Sequence, residues 1–432
     1  MPAYDKISQA LQKSEGDDVA IRGWIYRTRS SGGLAFVVVR DESGIMQVIA
    51  EQSSLPDEDF EGAKNALIES SVQVEGIIHE DKRAPGGREI HATRFHVVDF
   101  AEDFPITEDQ SVEHLLDNRH LWLRSRKLTA IMKIRHTLTG AIHAFFRSHG
   151  FYEFHPPILQ PGQCEGGSTL FEVDYYDDVT YLSQSWQLYA EAAVFALERV
   201  YDMAPTFRAE KSKTSRHLSE FWMAEMEAAW MDLYKVTEMA KEEIKYILQQ
   251  VLATHEKDLE ELGRDPAPLR AMLDKEWPTI KYRRALEILH ERGVDIEFGK
   301  DLRTIEEKEL MKEFDTPVVV THYPKETMAF YKPADPEQPD EALCFDMIAP
   351  EGYGEIVGGS QRSTDVDELI EALEQEGEDI ENYQWYLDLR RYGSVPHSGY
   401  GVGVERVIAW ICGLDNIKDT IPFPRTVTRK GP

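Results

Sequence analysis

Five short strand-like segments crowd into the first hundred residues of this chain, and few folds accommodate that. VAIRGWIYRTR (19–29) and GGLAFVVVRDESGIMQVIA (32–50) alternate or run apolar with β-branched residues, broken by Ser-Gly-Gly and Asp-Glu-Ser-Gly turns. SVQVEGIIHE (71–80) and EIHATRFHVVDF (89–100) complete the set. Strands this short, joined by tight turns, predict a small closed barrel or a small sandwich, and periodicity alone does not separate the two.

The barrel alternative is of the oligonucleotide-binding kind and would occupy residues 1–101. Residues 102–117 are acidic, carry a proline and read as a linker. From residue 118 the apolar period changes. Leu128, Ile131, Ile134, Leu138, Ile142 and Phe145 recur every three or four positions, which predicts a helix ending at Gly150. Further helices are expected from Trp186 to about Val200 and from Tyr234 to about Leu259. Between and after them lie strand-like FEVDYYDDVTYLS, PTFRAE, FWMAEMEAAW and TPVVVTHY. Long helices beside hairpin-like strand pairs predict an α+β domain over 118–432, with an antiparallel sheet flanked by helices, rather than a doubly wound parallel sheet.

At 432 residues, 42% apolar and 29% charged, the chain has the composition of a soluble multi-domain protein. No apolar run reaches the ~20 residues of a membrane span, and MPAYDKISQA does not read as a secretory signal. Cys164, Cys344 and Cys412 are too scattered for a disulfide framework or zinc-ligand spacing, so a cytoplasmic protein is expected. The net charge of −30 argues mildly against nucleic-acid binding. The cations are nonetheless clustered, at Arg22–Arg29, Lys82–Arg94, Arg119–Lys127 and Arg208–Arg216.

One of these clusters opens FRAEKSKTSRHLSEFWMAEME (207–227). Strand alternation would put Arg208 and Glu210 on one face, a polar loop would follow, and a second strand would begin near Phe221. Planar arginine forks suit phosphate oxygens, and an aromatic ring suits a base. Such a hairpin can clamp a polyphosphate. In CFDMIAPEGYGEIVGGSQR (344–362), Asp346 and Glu355 bracket a Pro-Gly turn, as magnesium ligands would, and Arg362 follows; taken in isolation, a structural salt bridge among these groups is the better reading. In GYGVGVERVIAWI (399–411), Gly399, Gly401 and Gly403 lead into a helix bearing Arg406, either as an anion site or through tight strand packing.

In this order the stretches resemble the class II aminoacyl-tRNA synthetases, most of all the subgroup charging aspartate, asparagine and lysine, and within it the archaeal-type asparaginyl enzymes. GFYEFHPPIL, with Pro157, resembles the family's first motif, 207–227 the second and 399–411 the third. RGWIYRTRSSGGLAFVVVRD resembles the anticodon-binding barrel of the subgroup.

The resemblance implies ATP and magnesium, a tRNA partner and a homodimer through the 128–150 helix and the strand around Pro157. It implies catalytic roles for Arg208 and Arg406, and ATP contacts from these two with Glu210, Arg216, His217, Leu218, Phe221, Glu355 and Gly403. Phe221 and Arg406 would sandwich the adenine. Glu355 with Asp346 would hold magnesium. Glu165 would meet the substrate ammonium group; Gln187, Ala190, Arg208, Glu225, Gly358 and Arg362 would complete the amino-acid site. Arg27, Arg29, Phe36 and Gln47 would read the anticodon.

Aspartyl relatives carry a lysine where this chain has Ala190, so one of two side-chain-reading cations is missing. That loss favours a neutral amide substrate, asparagine, over aspartate. Arg362 would then donate to the amide oxygen and Glu225 accept from its NH₂ group, unless Glu225 merely anchors the hairpin. An aspartyl enzyme of relaxed specificity and a non-catalytic RNA-binding paralogue are the competing readings.

Overall fold

The computed structural model describes residues 3–107, 110–162, 164, 170–212 and 214–431. The chain divides into two compact units, Met1–Leu115 and Leu116–Pro432.

In the first unit, β1 (Asp18–Ser31), β2 (Leu34–Asp41), β3 (Gly44–Glu51), β4 (Ser71–Glu80) and β5 (Arg88–Asp99) close a barrel in the order β1-β2-β3-β5-β4. Barrel rather than sandwich is therefore the outcome. The alternation that predicted the strands also builds the core: Ala35, Val37 and Val39 are wholly buried with Val48, Val74 and Ile90. Phe36 and Val38, on the opposite face of β2, remain partly exposed. The last residues of the expected linker, Val112–Asp117, are helical.

The second unit begins its core with α1 (Arg126–Ser148), whose first turn is capped by the Ser125 side chain accepting from the Leu128 N–H. Its apolar stripe packs inside the same chain, against Ile244, Ile247 and Val251 of a later helix. Gly150, at φ +78°, then turns the chain into the short strand β6 (Tyr152–Glu153). The strands β7 (Leu159–Gln160), β8 (Glu172–Tyr175) and β9 (Asp178–Leu182) form a small separate sheet.

Next come α2 (Gln187–Leu197), β10 (Arg199–Phe207), β11 (Glu220–Ala229) and α3 (Leu233–Thr254). The chain continues through β12 (Thr279–Lys281), β13 (Val318–Thr321), β14 (Cys344–Ala349), β15 (Gly354–Gln361), β16 (His397–Gly403) and α4 (Val404–Cys412). The main sheet has the order β12-β13-β14-β15-β16-β11-β10-β6. It is mixed, not purely antiparallel: β12 runs parallel to β13 and β6 parallel to β10, at the two ends.

Three expectations shift for local reasons. The helix expected to reach Val200 stops at Leu197, because Glu198 adopts φ +62° and Arg199 starts β10. The helix expected to reach Leu259 breaks at His255, whose ring lies 2.7 Å from both Thr137 Oγ1 and Asp258 Oδ2; a new helix, Glu256–Glu261, follows. Arg119 is no surface cation. It is fully buried, donating from Nε to Pro422 O at 2.8 Å and from Nη2 to Ile421 O at 2.8 Å. Among the described residues no helix is long and apolar enough to cross a membrane.

Candidate active site

The hairpin of β10 and β11 delivers the cationic end of the site. Arg208 lies one residue beyond β10 rather than within it, yet its N–H still donates to Ser219 O at 3.1 Å and continues the pairing. Its guanidinium stands 5.6 Å from the Phe221 ring centre, so that ring faces Arg208. Arg208 Nε is buried without a hydrogen-bond partner, a state a protein rarely leaves uncompensated.

A single cavity is lined by Arg208, Glu210, Arg216, His217, Leu218 and Phe221, and by Glu355, Gly403 and Arg406. Burial, reinforced by the Arg406 charge, lowers the His217 pKa and keeps the ring neutral. Arg216 is tied to Glu307, Nη1 to Oε2 at 3.2 Å, and to the Gly352 carbonyl.

The acids sit where glycines oppose them across the sheet. Register aligns Glu225 of β11, Gly401 of β16, Gly358 of β15 and Asp346 of β14 on one rung. The next rung but one aligns Glu227, Gly399 and Ser360. The glycines are a floor. A Cβ at Gly399 would lie 2.1 Å from Glu227 Oε2, and one at Gly358 would lie 2.9 Å from Glu355 Oε1 and 3.5 Å from Asp346 Oδ1. Tight packing accounts for Gly399 and for Gly401, where a Cβ would lie 2.5 Å from Met223 Cε; at Gly403 a Cβ would meet only the Arg406 side chain at 3.5 Å, and this residue caps the start of α4 on the cavity wall.

Glu355 reaches this floor through a bulge in the pairing of β14 with β15, which breaks the strand alternation between it and Val357. Burial pushes its carboxyl pKa up, but the Arg406 and Arg208 charges outweigh that and hold it low; Arg406 Nη1 lies 3.0 Å from Glu355 Oε2. Asp346 goes the other way. Burial and the charge of Glu355 raise its pKa well above the carboxylate range. Two hard-oxygen donors facing one point, one of them strained by the other's charge, fit a magnesium ion.

The amino-acid end is a buried charge network that extends well past the residues expected there. Arg362 grips Glu227 with Nε and Nη2, while its Nη1 donates to Ser360 Oγ at 2.8 Å. Glu191 accepts from Gln187 Nε2 at 2.9 Å and Tyr386 OH at 2.8 Å, and pairs with Arg390 and with His397 Nε2 at 3.0 Å. Burial alone would raise the Glu191 pKa, yet Arg390 and His397 hold it far below normal.

Glu225 accepts from Ser185 Oγ at 2.5 Å and from the Trp186 N–H at 3.2 Å, so it does anchor the chain entering α2, while still lining the cavity. Ala190 is not on the cavity wall. It is completely buried in an apolar cluster with Trp186, Val194 and Val200. Glu165 lies outside the described residues.

The chain matches the model of tRNA synthetases class II (D, K and N) over residues 111–427, and that of the OB-fold nucleic acid binding domain over 19–98. The chain belongs to the class II tRNA synthetases. It is 47% identical to the asparagine–tRNA ligase of Thermoplasma acidophilum, covering 96% of this chain and 97% of that protein. Identity to the asparagine–tRNA ligase of Thermococcus kodakarensis is 48%, over 99% and 100% of the two chains. The crystal structure of asparaginyl-tRNA synthetase from Pyrococcus horikoshii complexed with asparaginyl-adenylate superposes with a TM-score of 0.96, at 46% identity and full coverage of both chains.

In this class II synthetase the four barrel residues enter three pairs. Arg29 lies 4.5 Å from the Phe36 ring centre, its direct partner across β1 and β2. Arg27 packs 5.3 Å from Tyr26, and Gln47 donates to Glu89 at 2.7 Å. Sequence reasoning missed Glu227, Glu191 and Glu307. Glu227 was within reach, two residues beyond Glu225 on the same strand face, and Glu191 is one helical turn past Gln187. Nothing in the sequence ties Glu307 to Arg216, 91 residues away.

Proposed function

We infer that this synthetase is an asparagine–tRNA ligase, which joins asparagine to ATP as asparaginyl-adenylate and then transfers asparagine to its tRNA. The observation that carries the choice of amino acid is the Arg362–Glu227 pair. Arg362, on the cavity wall, is already neutralised by Glu227, and Glu225 lines the same cavity. An aspartate carboxylate entering there would meet net negative charge; a neutral amide would not.

In the first step an asparagine carboxylate oxygen bonds to the α-phosphorus as the bond to pyrophosphate breaks. Charge builds on the phosphate oxygens, and Arg208 sits with an unsatisfied buried N–H to receive it. Arg216 and His217 serve the outer phosphates, and Phe221 and Arg406 flank the adenine. Asp346 and Glu355 would hold magnesium, whose contribution when bound is to offset phosphate charge. In the second step a ribose hydroxyl of the tRNA attacks the acyl carbon, the acyl–phosphate bond breaks, AMP leaves, and the hydroxyl proton passes to phosphate or water.

We assign residues 1–101 to anticodon binding, through Arg27, Arg29, Phe36 and Gln47, residues 102–117 to the connection and 118–432 to catalysis. The synthetase would work in the cytoplasm with its tRNA. It would do so as a homodimer through the segment around Pro157, where Tyr152, Ile158 and Leu159 stay more than 40% exposed. The stripe of α1 cannot serve that contact, being packed within its own chain. ATP–pyrophosphate exchange driven by asparagine, and at least tenfold less by aspartate (about 1.4 kcal/mol), tests the reading; equal exchange with both would overturn the assignment to asparagine.

A further inference from the structure

At the β6 end of the main sheet three side chains of metal-binding type meet. Glu153 ends β6, His155 follows it by two residues, and Asp202 lies on β10 beside Tyr201, the register partner of Glu153. One ligand atom from each lies within 4.8 Å of the other two. Glu153 Oε1 is 3.3 Å from His155 Nε2, and that nitrogen is 3.7 Å from Asp202 Oδ1. A tetrahedral site with ligands at about 2.0–2.1 Å has edges of about 3.3–3.4 Å. The three atoms stand close to one face of such a site.

Two features separate this trio from a chance cluster of surface acids. Glu153 is held by its other oxygen: Oε2 accepts from Arg147 Nη2 at 2.5 Å and from Tyr201 OH at 3.2 Å, which leaves Oε1 facing His155. Metal centres commonly orient their ligands through outside partners of this kind. Asp202 supplies the second feature. It is only 4% exposed, and its one hydrogen bond among the described residues runs from the Met203 N–H to Oδ1, at 2.7 Å. His155 stands too far off to add another. A carboxylate so far from water needs more than a single amide to compensate it.

We propose that Glu153, His155 and Asp202 bind a divalent transition metal of the zinc type, with water in the fourth position. One imidazole with two carboxylates suits zinc or cobalt(II), and the two acids match the charge of the ion. Magnesium, which takes oxygen ligands and keeps its waters, suits Asp346 and Glu355 instead. The two places are separate, because β16 and β11 lie between β15, which carries Glu355, and β10, which carries Asp202. Bound there, the ion would tie β6 and the segment leading to Pro157 onto β10. The site stands whichever amino acid the synthetase activates.

The test uses the full-length protein, stripped of metal with a chelator and dialysed against zinc or cobalt(II), with magnesium in large excess to fill the oxygen-only site. Counted by elemental mass spectrometry, the parent should hold one more ion per chain than His155→Ala. Cobalt should give the intense visible bands of four-coordination rather than the weak ones of an octahedral oxygen site. In His155→Ala and Asp202→Asn the affinity should fall by more than the about 10- to 100-fold that losing an outer partner costs. His155→Cys replaces the imidazole with a thiolate; it should keep the ion and add a sulfur-to-cobalt charge-transfer band in the near ultraviolet. The His155 side chain is 70% exposed, so these variants should fold. Zinc should raise the melting temperature of the parent and not that of His155→Ala.

A parent that binds no more zinc or cobalt than His155→Ala would overturn the site. So would a cobalt spectrum unchanged between the parent and His155→Cys. The trio would then be an ionic cluster, a protonated histidine between two acids.

Discussion

Arg362 and Glu227 form a two-point pair, Nε to Oε1 at 3.0 Å and Nη2 to Oε2 at 2.8 Å, with both side chains almost entirely buried. Planar fork against carboxylate is the strongest geometry two such groups can adopt. It means that the arginine enters the amino-acid pocket with its charge already matched. Changing Glu227→Gln keeps the shape and removes the match. Breaking a buried pair costs about 3–5 kcal/mol, so the denaturation midpoint should fall. The freed charge should also move the kcat/KM ratio toward aspartate by at least tenfold, about 1.4 kcal/mol. Pyrophosphate exchange with both amino acids reads the second effect, and an unchanged ratio would mean that the pair does not select the side chain.

Arg208 offers a cleaner separation of chemistry from stability. Its Nε has no partner in the protein, so removing the side chain breaks no hydrogen bond through that atom. Arg208→Ala should lower pyrophosphate exchange by about 10²–10³, as expected for loss of one preorganised charge donor, with little change in melting temperature. Near-parental exchange would take Arg208 out of the reaction.

On the barrel, Phe36 faces away from the core that its neighbours Ala35 and Val37 build, and carries Arg29 over its ring. Phe36→Ala should therefore spare folding and adenylate formation. It should weaken tRNA charging by about 1–3 kcal/mol, the worth of one base stacked on an aromatic ring. Matched losses in exchange and charging would show instead that the ring supports the fold.

Glu243 sets a pH dependence of stability. It is fully buried, accepts from Tyr400 OH at 2.6 Å through Oε2, and leaves Oε1 without a partner. Burial pushes its pKa up to about 8, against a usual value of 4.5. Between these values the folded chain holds a proton that the unfolded chain has released. This contribution to stability is therefore complete below the unfolded pKa and is lost as pH rises through the folded one. Unfolding free energy measured by denaturant from pH 5 to 9 should fall across that range, and Glu243→Gln should flatten the curve. An identical slope in the variant would assign the effect to other groups.

The sequence by itself determined the elements and the inventory of the site. Local period and turn chemistry are short-range properties, so the five barrel strands, the long helix after residue 125 and the two strands around the 207–227 loop were all legible. Arg208, Phe221, Glu355 and Arg406, which line one cavity, could be picked out because the segments that carry them resemble the motifs of the class II synthetases; their residue types alone left structural alternatives open.

Only the tertiary structure decided what these groups do to one another. The rung that runs Glu225, Gly401, Gly358, Asp346 joins four strands, and its register depends on long-range pairing. The bulge that re-aims Glu355 leaves no local sequence mark. Ala190 looked like a substrate-reading position and became core, because its neighbours on α2 pack against Val200 and Ala229. The partners of Arg362 and Glu191 come from separate segments that only folding brings together. Charge becomes specificity there because burial removes the water that would otherwise screen it.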